Sequence, residues 1–253
     1  MDNNEFIGFS KYLLVLDKYK ILCKKHNVDE SHGPDHVVSV YNHINNAIQS
    51  YVLELPNDTI CSLRLAALLH DADDRKYFTN NNYENANKIM KEVNVSENVR
   101  KLTIKIISYV SCSKNGDNIP EDCIEHPEYL WVRWSDRIEA SGKKGIIRCW
   151  QYNKHKNLPI TCSTTPKPIT HDEVLKYASK KRFDAYCGKS NSMLDHYYDK
   201  LLYISKKPDS KIIHNEYLQN QFNTLIDPLI ELCIIYSKYH ENGVIEHIYS
   251  ITS

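Results

Sequence analysis

The sequence predicts an all-helical protein, and three features carry that expectation. Apolar residues recur at three- and four-residue spacing along most of the 253 residues, strict apolar and polar alternation is hard to find, and only seven glycines interrupt the pattern. Hydrophobic residues make up 42% and charged residues 25%, the balance of a globular chain that can bury a sizeable core. One domain is expected over residues 1–253, with its core at about 30–205.

The first helix is expected from Phe6 to Cys23, with Phe9, Leu13, Leu16 and Tyr19 or Lys20 on one stripe. A second begins after Gly33-Pro34, where proline suits a first helical turn, and turns Val37, Val40, Tyr41, Ile44, Ile48 and Tyr51 inward. Leu55-Pro56 ends it, and Asn57 or Asp58 can cap the apolar helix that runs through Cys61, Leu65, Leu68 and Leu69. Further helices are expected at about 83–92, 97–111, 126–141, 143–155, 171–186, 191–205 and 212–239. Residues 113–120 and the proline- and threonine-rich 157–170 read as loops, the latter as a lid or a disordered surface excursion. Pro228 restarts or kinks the last helix, and 240–253 reads as a loose tail.

Lys and Arg number 32, as do Asp and Glu, so there is no net basic field to draw nucleic acid. No Gly-x-x-x-x-Gly-Lys-Ser/Thr, Gly-x-Gly-x-x-Gly, His-Glu-x-x-His or Gly-x-Ser-x-Gly motif occurs, which sets aside P-loop hydrolases and zinc proteases of those kinds. The eight cysteines are irregularly spaced with no Cys-x-x-Cys pair, and read as reduced thiols. With no apolar run of membrane-spanning length and no basic-then-apolar start, the expected compartment is the cytoplasm, without a membrane partner. Homodimerisation is left open.

The chemistry is expected from His36, the adjacent His70-Asp71 pair and Asp136. Leu65-Ala66-Ala67-Leu68-Leu69 leads straight into that pair, delivering a carboxylate to the end of one of the most apolar helices in the chain. An unpartnered buried carboxylate costs several kcal/mol, roughly, and a helix C-terminus adds unfavourable negative potential. A bound cation would relieve both. Imidazole nitrogen with carboxylate oxygen suits a divalent ion such as Mn, Mg, Fe, Ni, Co or Zn, which polarises a phosphoryl oxygen and activates water. On the residues alone, the alternative stays open that His36 is an ordinary buried histidine and His70-Asp71 merely closes a helix.

The residues resemble the HD superfamily of phosphohydrolases, whose signature is a His, a His-Asp doublet and a distant Asp. Ser31-His32-Gly33-Pro34-Asp35-His36 resembles the opening motif of many members, and Leu68-Leu69-His70-Asp71 resembles the doublet helix. Ser135-Asp136-Arg137-Ile138-Glu139-Ala140-Ser141-Gly142-Lys143-Lys144-Gly145 through Arg148, and Ser192-Met193 through Leu202, are similar to stretches of small single-domain members of the bacterial YedJ group. The resemblance implies metal ligation by His36, His70, Asp71 and Asp136. The interval between doublet and last Asp holds only His126, so it implies one metal rather than two. Catalytic work is expected from Asp71 and from Asp74, a candidate general base, although 73–76 reads equally as a solvated helix end. His32, Arg75, Lys76, Arg137, Lys143 and Arg148 are the candidates for binding substrate phosphate, with Lys144 beside them. The implied function is hydrolysis of a phosphate ester or anhydride, of a nucleotide by first choice. The alternative is a non-catalytic nucleotide sensor that keeps the pocket.

Overall fold

In the computed structural model, residues 8–80 and 82–252 are described, and among them every regular element is helical. The protein is all-α, as the periodicity predicts. Its described residues pack as two compact units. The first lies within Met1–Ser111, Asn118–Asp136 and Asp209–Leu218; the second comprises Cys112–Asp117, Arg137–Pro208 and the described residues from Gln219 onward.

The first unit is organised by α1 (Phe9–Lys25), α2 (Pro34–Ser50), α3 (Asn57–Leu69), α4 (Glu84–Glu92), α5 (Glu97–Ser108) and the opening turns of α6 (Trp131–Glu139). α3 packs against α1, α2 and α5, and residues 65–69 are buried without a break. A helix apolar on all sides has to be interior. Burying each of its leucines contributes about 1.5–3 kcal/mol, so the segment that carries the His-Asp pair is also a main source of this unit's stability.

α1 differs from expectation. Its buried stripe is Tyr12, Val15, Tyr19 and Cys23, whereas Leu13 is 47% exposed. Tyr12 takes the place of Leu13 in the core, and Tyr19, one of the residues expected on the stripe, lines the core while its hydroxyl donates to the His32 carbonyl at 2.9 Å. The expected start at Phe6 lies outside the described residues. On α2 the buried positions are His36, Val37, Val40, Ile44 and Ala47, so Val37, Val40 and Ile44 turn inward as expected, His36 and Ala47 join them, and Tyr41, Ile48 and Tyr51 are half-buried.

The first unit also fixes α6 through backbone carbonyls. The buried Arg133 donates from Nε to the Tyr109 carbonyl at 2.6 Å and from Nη1 to that of Asn118 at 2.8 Å. Trp131 Nε1 donates to the Ile213 carbonyl at 3.0 Å, and Asn215 Nδ2 to that of Ala47 at 2.9 Å. Residues 127–130, expected as helix, form a 3₁₀ turn leading into α6.

In the second unit α7 (Gly142–His155) packs against α8 (Asp227–Thr252) around Ile146, Leu194, Tyr197, Leu229, Leu232 and Val244. The helix expected over 171–186 breaks at Ala178-Ser179, where the Ser179 side chain accepts from Arg182 N and starts a new turn. The expected 212–239 helix is instead several short turns followed by α8, which begins at Asp227 beside Pro228. Nor is 240–252 a loose tail: the helix bends at His240 (φ 55°, ψ −156°) and continues, because Val244 and Ile248 still have core to cover.

The 157–170 segment is pinned down. Met193 N donates to Pro159 O at 2.9 Å and Leu194 N to Ile160 O at 3.0 Å, while the buried Thr165 hydroxyl donates to Asp195 at 2.7 Å. Among the described residues, no helix is long and apolar enough to cross a membrane, and none of the eight cysteines takes part in a disulfide.

Candidate metal centre

Four side chains of the first unit converge. Gly33 starts α2, where an added Cβ would come 3.3 Å from the Asp29 carbonyl oxygen; that close turn sets His36 in the first turn of the helix. His70 stands at the C-terminal cap of α3 and Asp71 follows it. Asp136 comes from α6. Both imidazoles are 1% exposed, the Asp71 side chain 14% and that of Asp136 28%, so the cluster is buried on the histidine side and opens on the Asp136 side.

The candidate ligand atoms are spaced as one small cation requires. His36 Nε2 and His70 Nε2 are 3.1 Å apart. Asp71 Oδ2 is 3.6 Å from each, and Asp136 Oδ1 is 3.3 Å from His36 Nε2 and 3.9 Å from His70 Nε2. Ligands about 2.1 Å from a shared ion are separated by about 3.0 Å at octahedral corners and about 3.4 Å at tetrahedral ones.

Protonation points the same way. His70 Nδ1 lies 2.9 Å from the Ala67 carbonyl oxygen, which can only accept, so Nδ1 carries the proton and Nε2 presents its lone pair to the cluster. Asp71 Oδ2 is buried with no hydrogen-bond donor. Burial pushes the Asp71 carboxyl up, but the electrostatic pull of the neighbouring His70, His32 and His36 rings outweighs burial and the opposing Asp136, and holds it below the ordinary carboxylate range. An anionic oxygen buried without a donor, facing a lone pair, is the arrangement a divalent cation satisfies. His36, His70 and Asp71 therefore form a group able to hold one, with Asp136 beside them.

The expected substrate-binding residues separate into groups. His32 and Lys76 meet, with Lys76 Nζ 2.8 Å from His32 Nε2 and 3.4 Å from Asp74 Oδ2. Asp74 also accepts from the Lys76 amide at 2.9 Å, and Arg75 is exposed. Arg137 is 3% exposed and donates to Asp117 Oδ1 at 2.6 Å and to the Gly116 carbonyl at 2.7 Å, so its guanidinium anchors the 116–117 turn of the second unit. Lys143 is exposed and Arg148 half-buried in that same unit, and Lys144 pairs with Glu139 at 3.0 Å. Asp73, read with Asp74 as a solvated helix end, instead caps α4 by accepting from Asn85 N at 2.9 Å and Ala86 N at 3.0 Å. His126 accompanies the buried Glu128 at 3.1 Å, a local structural pairing.

Sequence reasoning passed over Asp29, Ser31 and Tyr77, which surround His32. Asp29 three residues before His32, at the start of a 3₁₀ turn, is a readable capping signal. Tyr77, 48 residues from Asp29, gives none.

No protein-family model matches the chain. It is 37% identical over 225 residues to the uncharacterized protein L803 of Acanthamoeba polyphaga mimivirus, a match covering 83% of this chain and 89% of that one. The chain belongs to the L803 family. Among solved structures, the fold of this family member is similar to that of a Lactobacillus plantarum protein, with TM-score 0.64 and 18% identity, covering 92% of this chain and 98% of the other. It is also similar to an HD-superfamily hydrolase of Bacillus thuringiensis, with TM-score 0.51 and 16% identity over 96% and 98% of the two chains. At these identities the likeness is one of fold, and the fold is one an HD-superfamily hydrolase adopts.

Proposed function

We propose that this chain is a metal-dependent phosphohydrolase that cleaves a phosphate ester or anhydride, with a nucleotide as its substrate. The observation that carries the reading is the packing of His36 Nε2, His70 Nε2 and Asp71 Oδ2 within 3.1–3.6 Å of one another, with Asp136 Oδ1 at 3.3 Å from the first. The similarity of the fold to an HD-superfamily hydrolase supports it. The stretches 135–148 and 192–202 favour the small YedJ-like branch, and with it a nucleotide.

These four residues are the proposed ligands. A divalent ion there supplies Lewis-acid polarisation of a phosphoryl oxygen and a lowered pKa for water. The chain's own groups do the remaining work. The Ala67 carbonyl fixes the His70 ring, so its nitrogen lone pair needs no reorientation on binding. Asp74 is the proposed proton acceptor for the attacking water, and Lys76, already beside it, the proposed cation for a phosphate oxygen. Arg75, Lys143 and Arg148 remain secondary candidates for phosphate. Arg137 is left out, because its Nη1 and Nη2 are committed to Asp117 and Gly116.

The test is release of phosphate or pyrophosphate from a panel of nucleoside mono- and triphosphates with Mn²⁺, Mg²⁺, Co²⁺, Ni²⁺, Fe²⁺ or Zn²⁺. Turnover that falls at least about 100-fold in Asp136→Ala is expected, the upper end of what removing even an outer-shell partner of a metal ligand costs. Equal rates in wild type and variant under every metal would contradict the reading; nucleotide binding without turnover would favour a sensor.

A further inference from the structure

The environment of His32 determines where its proton sits. Asp29 Oδ1 accepts from the Ser31 amide at 2.9 Å, and both of its oxygens receive a hydroxyl proton, Oδ1 from Ser31 and Oδ2 from Tyr77. Each hydroxyl has one proton to give. Having donated to Asp29, Ser31 Oγ and Tyr77 OH can only accept from His32 Nδ1, which lies 2.7 Å from the first and 3.2 Å from the second. Nδ1 therefore carries hydrogen. At the other end of the ring, Lys76 Nζ lies 2.8 Å from Nε2. An ammonium has donors and no acceptor, so Nε2 must be bare. One arrangement satisfies these contacts: ionised Asp29, neutral His32 protonated at Nδ1, and a charged Lys76 directed by the ring and by Asp74 Oδ2 at 3.4 Å.

We infer that Asp29, Ser31, Tyr77 and His32 form a positioning chain for Lys76, and that Lys76 is the group that meets a substrate phosphate oxygen. His32 is thereby a positioning residue rather than a phosphate ligand. The Asp29 and His32 side chains are 7% and 12% exposed, while Lys76 is 37% exposed, so the chain runs from an enclosed anchor to a reachable cation. Holding a flexible lysine in one direction removes side-chain entropy before an anion arrives, which is where binding strength is gained. The role of Lys76 rests on the phosphohydrolase reading; the tautomer of His32 does not.

The experiment separates the two. In full-length protein labelled with ¹⁵N-histidine and free of metal, long-range ¹H–¹⁵N correlation spectra are expected to show His32, assigned by His32→Gln, as a single neutral form protonated at Nδ1. The paired substitutions Ser31→Ala and Tyr77→Phe remove both acceptors and are expected to bring in the Nε2-protonated form. Asp29→Asn should do the same, and gives a second route if either variant fails to fold. Inorganic phosphate titrated calorimetrically into Mn²⁺-loaded protein should bind about tenfold more weakly to the paired variant and to Lys76→Met, the change that about 1.4 kcal/mol produces. A wild-type His32 protonated at Nε2 or doubly protonated at neutral pH would overturn the inference. So would folded variants that keep both the wild-type tautomer and the wild-type phosphate affinity. If the protein shows the expected tautomer yet hydrolyses no nucleotide, the positioning chain stands and the enzymatic reading fails.

Discussion

His36 Nε2 and His70 Nε2 lie 3.1 Å apart with their rings at 78°, and the His70 nitrogen is a bare lone pair because its other nitrogen donates to the Ala67 carbonyl. Two imidazole edges converging on one point beside two carboxylates store an attraction for a cation that no apolar packing can replace. The predictions below follow from that point and from the groups around it.

Metal addition should stabilise the protein. An ion present at 100 times its dissociation constant adds about 2.7 kcal/mol to the folded state. For a chain of this size that is a rise in melting temperature of roughly 5–10 °C. A thermal melt with Mn²⁺ against one with chelator measures it, and Asp71→Ala should at least halve the difference.

Acid should expose the Asp29 anchor. Burial pushes the Asp29 carboxyl up, yet its contacts with the His32 ring and the Ser31 and Tyr77 hydroxyls outweigh burial and hold it well below 3.8. A carboxyl depressed on folding contributes fully above its unfolded pKa and is lost as pH falls toward its folded one. Below about pH 4 the wild type should therefore lose up to about 1.4 kcal/mol per pH unit from this group alone. Denaturant titrations between pH 5 and pH 2 should show a shallower pH dependence in Asp29→Asn.

Arg137 should prove a stability residue. Its guanidinium, 4% exposed, holds Asp117 and the Gly116 carbonyl. Hydrogen bonds from a charged donor are worth about 1.5–3 kcal/mol each, so Arg137→Met should cost roughly 2–5 kcal/mol in urea unfolding. A fully stable variant with an impaired KM would instead return Arg137 to the substrate.

Asp195 should hold the 157–170 segment in place. Besides Thr165 it accepts from Ser192 Oγ at 2.6 Å and from Arg182 Nη2 at 2.8 Å. Asp195→Ala leaves those donors unsatisfied and should destabilise the second unit by about 3–5 kcal/mol. Limited proteolysis should then cut within 160–168 much faster than in the wild type.

The parts legible in the sequence were those where residue type and setting clash. A His-Asp pair closing a leucine-rich helix is an anomaly at one glance, and helical periodicity is visible without knowing any partner. Packing choices between rival stripes were not: Tyr12 and Val15 compete with Leu13 and Leu16 at equal spacing, and tertiary contacts decided for the former, leaving Tyr19 as the expected residue that is buried. Residues 240–252 looked polar because a bend at His240 shifts the phase of the apolar positions, hiding Val244 and Ile248 from a single-helix reading. The ring around His32 was only partly within reach, since Asp29 is readable as a cap but Tyr77 joins it across the intervening helices and carries no signal of its own.

The most direct test is an equilibrium titration of the metal-free protein with Mn²⁺. About one ion per chain should bind, and His70→Ala, Asp71→Ala and Asp136→Ala should each weaken it by at least about tenfold. A folded wild type that takes up no divalent ion, or variants that bind it as tightly as the wild type, would contradict the centre described here.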